Sequence, residues 1–173
     1  MSFGGLKILG VDPGLVITGY GIIEIPENFS LGRSDIKLIE AGIIRTCQSA
    51  GIAERLSKIY EALLEVVSEF GPDAMVIEKL YAHYKHPTTA ILMGHARGVV
   101  CLVSGVKHVP LTNLASTHVK KSVTGQGHAG KPQIQRMVQR YLNLKDLPEP
   151  PDVADALAIA ISYACGLKKE GMG

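Results

Sequence analysis

The chain alternates short, mostly apolar runs with longer stretches whose apolar residues return every three or four positions. LKILGV (6–11) is an apolar run of strand length. TGYGIIEI (18–25) follows after a tight turn, and IKLIEAGIIRT (36–46) makes a third extended segment beyond a polar loop. In AERLSKIYEALLEVVSEF (53–70), Leu56, Ile59, Leu63, Val66, Val67 and Phe70 share one helical face, and Gly71-Pro72 ends the helix. AMVIE (74–78) predicts another buried strand, 88–104 a helix, VKHVPL (106–111) a strand and 114–123 a short helix. A glycine loop leads to a helix over 132–142, and Pro148, Pro150 and Pro151 introduce a last helix over 152–167. Hairpin-connected strands followed by alternating helices and strands predict an α/β fold, a mixed sheet with helices on both faces.

No repeat, low-complexity tract or linker interrupts this pattern. Residues 1–173 read as a single domain, long enough to bury a core without staples. The N-terminus lacks a signal pattern and no stretch reads as a membrane span, so a cytoplasmic protein is expected. Cys47, Cys101 and Cys165 lie far apart and outside metal spacing, which predicts reduced, buried thiols.

Charge changes the picture more. From Lys79 to Lys145 there is no Asp or Glu, yet the stretch holds ten Lys or Arg and all six histidines. A solvated surface mixes its signs, as 53–70 does. An acid-free stretch of this length predicts a surface for a polyanion, and the obvious one is nucleic acid. Aromatic residues are too few for general stacking on single strands.

The acids show a pattern of their own. ILGVDPG ends an apolar strand on Asp12, and MVIEK ends another on Glu78. Asp-Pro-Gly is ordinary turn chemistry by itself, but open α/β sheets place their sites at the carboxyl ends of strands. In PPDVADALAIAIS, Asp152 and Asp155 fall on one side of a helix that is otherwise almost wholly apolar. The alanines let that helix approach a sheet and carry both acids inward. Four converging carboxylates need a cation. A hard divalent ion fits, Mg²⁺ with Mn²⁺ as substitute, and two such ions support in-line displacement at phosphorus. Beside a basic surface, this chemistry describes a nuclease.

The motifs ILGVDPGxxxTGYG, MVIEKLY, GHARGV, VKKSVTGQGHAGKPQIQRMV and DVADALAIAI occur in one order over residues 6–166. Together they resemble the RuvC family of Holliday-junction endonucleases. The resemblance implies a ribonuclease-H-like fold with a mixed five-stranded sheet. It implies a homodimer that uses Mg²⁺ to nick two symmetric strands of a four-way junction in recombinational repair, with RuvA and RuvB as partners. By motif, Asp12, Glu78, Asp152 and Asp155 are the catalytic, metal-holding acids. Lys120 and Lys131 match basic residues near the scissile phosphate, and Tyr81 an aromatic that stacks on a base at the junction centre. His128, beside Lys131, is a candidate for a supporting role. Lys79 and Pro132 depart from the family pattern and touch the DNA contacts rather than the acids.

Other readings are weaker. GQGHAG (125–130) fits a dinucleotide fingerprint by letter, but no buried strand precedes it and Pro132 stands where a phosphate loop needs a hydroxyl. His83 and His86 have no acidic or thiol partner nearby. An actin-like kinase would need a second lobe, and a binding module without chemistry would lack one of the acids. Arg97 reads as a dimer-interface ion-pair partner or a surface charge, and Gly94, Ala96 and Gly98 as small residues that let two helices meet at a dimer interface.

Overall fold

The computed structural model describes residues 5–27, 35–80 and 87–170. Its elements run β1 (Leu6–Asp12), β2 (Ile17–Ile25), β3 (Lys37–Arg45), α1 (Ile52–Phe70), β4 (Ala74–Glu78) and α2 (Pro87–Lys107). They continue with β5 (Leu111–Leu114), α3 (Ser116–Thr124), α4 (Lys131–Tyr141) and α5 (Pro151–Glu170). The strands form a five-stranded sheet in the order β3-β2-β1-β4-β5. The β1–β2 and β2–β3 pairs are antiparallel; β1–β4 and β4–β5 are parallel.

Strand alternation divides the core in two. Leu9, Val11, Ile22, Met75 and Ile77 face one way, onto Ile59 and Leu63 of α1 and Val100 and Val103 of α2. Ile8, Ile23, Ile25 and Val76 face the other way, onto α5, which α3 and α4 cover in turn. Helices lie on both faces, as the pattern of apolar residues predicts.

The apolar character of α5 has a direct cause. A Cβ at Gly10 would collide with the Ala156 carbonyl oxygen and come within 2.9 Å of the Ala160 nitrogen. One at Gly19 would lie 2.6 Å from the carbonyl carbon of Asp152. The helix backbone therefore rests on the glycines of β1 and β2. Ala154, Ala156, Leu157, Ala160 and Ile161 are all fully buried.

Three expectations are corrected. VKHVPL is not a strand: α2 runs on to Lys107, His108 turns the chain at φ 54°, and the Val109 N–H donates to the Ser104 carbonyl at 3.0 Å. Ser104 Oγ donates back to the Val109 carbonyl at 2.7 Å. Pro110 offers only its carbonyl, to the Met75 N–H at 2.8 Å, so the paired strand begins at Leu111. The cysteines form no disulfide among the described residues, but Cys47 and Cys101 are exposed and only Cys165 is buried. Finally, α2 is long and apolar enough to cross a membrane by length and composition alone, with mean hydropathy 1.5. One side of it packs into the core through Ala96, Val99, Val100 and Val103, while Ile91, Leu102 and Val106 are exposed on another.

Candidate active site

Parallel pairing sets the first two acids side by side. The β1–β4 register ends at Val11 opposite Ile77, so Asp12 and Glu78 are the next residues, at the carboxyl ends of both strands. Alternation turns them toward α5, as it does Gly10 and Val76 two residues earlier. Asp12 also pairs with Gly19 across β2, the residue over which the Asp152 backbone lies. The first turn of α5 is thereby laid on the sheet beside Asp12, with Asp155 one turn further along the same side.

Asp12 lies within electrostatic reach of the other three carboxylates. Burial pushes the half-buried Asp12 carboxyl up to about 7, and the charges of Asp155, Asp152 and Glu78 add to the shift while Lys131 opposes it. Burial also raises Glu78, against the Ser116 hydroxyl bonded to its carboxylate and the charge of Lys120. Asp155 is raised by burial and opposed by Lys131, whose Nζ lies 3.4 Å from its Oδ2. The Lys131 ammonium is held protonated more firmly in return, chiefly by Asp155.

The convergence is one of face and field, not a finished cage. Among the described residues no three His, Cys, Asp or Glu side chains are grouped closely enough to grip a metal ion. Asp155 is paired with Lys131. The donor set is nonetheless all oxygen and excess negative, with three members raised by burial. That chemistry fits a hard divalent cation and suits no thiophilic metal.

A family model described as crossover junction endodeoxyribonuclease RuvC matches residues 8–163. The chain belongs to the RuvC family. The RuvC of Rhodopirellula baltica is 47% identical over 159 residues, 92% of this chain and 84% of that protein. The RuvC of Thermotoga maritima is 45% identical over 161 residues, 93% of this chain and 92% of its own. A solved structure of Thermus thermophilus RuvC in complex with a Holliday junction substrate matches with a TM-score of 0.85 at 29% identity, over 95% of this chain and 96% of that one. The yeast mitochondrial Holliday junction resolvase Ydc2, 11% identical with a TM-score of 0.63, shares the fold. The mixed five-stranded sheet is thus ribonuclease-H-like, and the protein is a metal-dependent endodeoxyribonuclease of the RuvC type.

The turn that follows the RuvC-family strand β1 is firmly held. Thr18 Oγ1 donates to the Gly14 carbonyl at 2.7 Å and accepts from the Gly14 N–H at 3.3 Å. The Leu15 carbonyl receives Thr46 Oγ1 at 2.5 Å and Arg55 Nη2 at 3.0 Å. Asp-Pro-Gly is therefore both a turn and a mount for Asp12.

Lys120, on α3, reaches the field of Glu78 and Asp155, and Lys131 that of Asp155, Asp12 and Asp152. Pro132 costs α4 nothing, since it occupies the first turn, where an N–H has no partner within the helix. Lys79 is exposed, and its N–H donates to the Leu114 carbonyl at 2.7 Å. His128 is exposed and makes no hydrogen bond or ion pair among the described residues. Tyr81, His83 and His86 lie outside the described residues. The glycine-rich stretch is no nucleotide loop: α3 precedes it, and Gly125, at φ 79°, caps that helix through its N–H to the Lys121 carbonyl.

One residue at the site escaped the sequence reading, and the intrachain role of another did. Ser116 starts α3 directly after β5, and its hydroxyl favours the ionised Glu78 carboxylate against the effect of burial. Arg97 is not an idle charge: it binds the Glu78 carbonyl and Asn113 Oδ1. Its signal was there, a single cation amid apolar residues in a stretch with no acid to pair with. Ala96 is also fully buried against the core rather than free for a partner.

Proposed function

We propose that this RuvC-family nuclease resolves four-way junction DNA, with Asp12, Glu78, Asp152 and Asp155 holding two Mg²⁺ ions that Mn²⁺ can replace. The observation that carries the reading is the seating of α5 on Gly10 and Gly19, which sets two helix acids beside two strand-end acids. When bound, a divalent ion supplies an acidified water and neutralises charge at the phosphate.

The protein's own groups do the rest. The acids are held half-buried, where their charge demands a cation. Lys131 and Lys120 flank them, and their ammonium groups meet the negative charge that grows on the scissile phosphate in the transition state. Lys131 pairs with Asp155, and it is free to turn to a phosphate once that charge is met otherwise. Tyr81 stacks on a base at the junction centre, and His128 lends minor support beside Lys131.

A four-way junction is two-fold symmetric, and two matched nicks need two matched sites. The homodimer forms through the outer side of α2, where Ile91, Gly98, Leu102 and Val106 follow one another at helical spacing and are exposed. RuvA and RuvB deliver the junction, in the cytoplasm. The test is a synthetic four-way junction against a linear duplex of the same sequence. Paired, religatable nicks in the junction alone, lost in EDTA, are expected. Equal cutting of the duplex, or cutting in EDTA, would overturn the proposal.

A further inference from the structure

Arg97 is the only charged residue of α2 before Lys107, at the helix end. Half-buried, it reaches across to the carboxyl ends of β4 and β5. Nη1 donates to the main-chain carbonyl of Glu78, and Nη2 to the side-chain oxygen of Asn113. The Glu78 carbonyl lies where the β1–β4 ladder has stopped, one residue past Val11–Ile77. On its other side only the Lys79 N–H carries the pairing onward, to Leu114. The strand is losing its neighbours at the very residue whose carboxylate must be placed.

Alternation puts the Glu78 carboxylate on the α5 face, where the Ser116 hydroxyl binds it. Arg97 holds the backbone of the same residue from the α2 face. A guanidinium fork is rigid, permanently charged and able to satisfy two acceptors in fixed geometry. We propose that Arg97 is a positioning residue for Glu78: by clamping the ends of β4 and β5 it fixes where the carboxylate meets the metal. The proposal rests on Glu78 being a metal-holding acid. Releasing the fork frees the strand end while the sheet, buried on both faces, persists.

The test compares Arg97→Met, Arg97→Lys and Asn113→Ala, with Glu78→Gln as reference. Three quantities are read: junction affinity in EDTA, the rise in melting temperature that Mn²⁺ gives the DNA-free protein, and the Mg²⁺ concentration for half-maximal single-turnover cleavage. Arg97→Met should bind the junction as the parent does, lose most of the Mn²⁺-induced rise, and need about 10-fold more Mg²⁺, the usual cost of losing a residue that orients a metal ligand. Arg97→Lys and Asn113→Ala, each keeping part of the clamp, should fall between. The proposal is overturned if Arg97→Met responds normally to both metals, if only junction affinity drops, or if melting falls while the metal response stays intact. Wild-type cleavage and Mn²⁺ response in Glu78→Gln would instead remove the reading of Glu78 itself. A metal-blind, inactive Glu78→Gln beside a normal Arg97→Met would remove only the role of Arg97.

Discussion

Asp12→Asn should stabilise the metal-free protein while destroying its activity. Burial and three neighbouring acids raise the Asp12 carboxyl from 3.8 to about 7. A carboxyl whose folded pKa is raised supports folding fully only below its unfolded value. That support is lost as pH climbs from about 4 through about 7. About three pK units at ~1.4 kcal/mol each set a penalty of roughly 4 kcal/mol at pH 8. Protonation of neighbouring acids and the desolvation of a buried amide will reduce the gain realised by asparagine. For a chain of this size, each kcal/mol moves the melting temperature by about 2–4 °C. Urea titrations of both proteins in EDTA, at steps from pH 4 to pH 8, give the difference directly. The variant's advantage should be near zero at pH 4 and grow steadily toward pH 8. Mg²⁺ should then raise the melting temperature of the parent and leave that of the variant nearly unchanged. An advantage that does not vary with pH, or a variant less stable than its parent at pH 8, would refute the electrostatic account of the site.

Gly19→Ala places a methyl group against the Asp152 backbone and should cost ~1–3 kcal/mol, with cleavage falling further than stability; unchanged urea unfolding would show that α5 has room to spare. Lys131→Ala should slow single-turnover cleavage far more than it weakens junction binding, because its charge counts most against the growing charge of the transition state. Equal losses of rate and affinity would make it an ordinary phosphate contact. Leu102→Glu, at a residue 54% exposed on α2, should yield a folded monomer by sedimentation; a dimer that persists would move the interface elsewhere.

The acids were legible because each carries a local mark: an apolar strand that stops on a carboxylate, or a carboxylate pair heading an apolar helix. The mixed sheet with helices on both faces followed from hairpin-connected strands and the helix–strand alternation after them. What escaped depends on partners distant in sequence. Val106 and Val109 suggest a strand, but Pro110 and the parallel register with β4 decide where pairing begins. Gly10 and Gly19 look like any strand glycines until the backbone of α5 lies against them. Arg97 could not be assigned without seeing two strand ends brought together across the sheet. Cys101 is apolar by composition, yet it lies on the side of α2 that nothing among the described residues covers.

The central claim is that four carboxylates gathered by β1, β4 and α5 do the chemistry, while the acid-free basic stretch does most of the binding. Single-turnover cleavage of a synthetic four-way junction in Mg²⁺, measured beside junction affinity for Asp12→Asn, Glu78→Gln, Asp152→Asn and Asp155→Asn, tests it most directly. Each variant should bind the junction as well as the parent or better, since removing negative charge favours a polyanion, and each should fail to cut it. Any one of them cutting at the parent's rate would contradict the account.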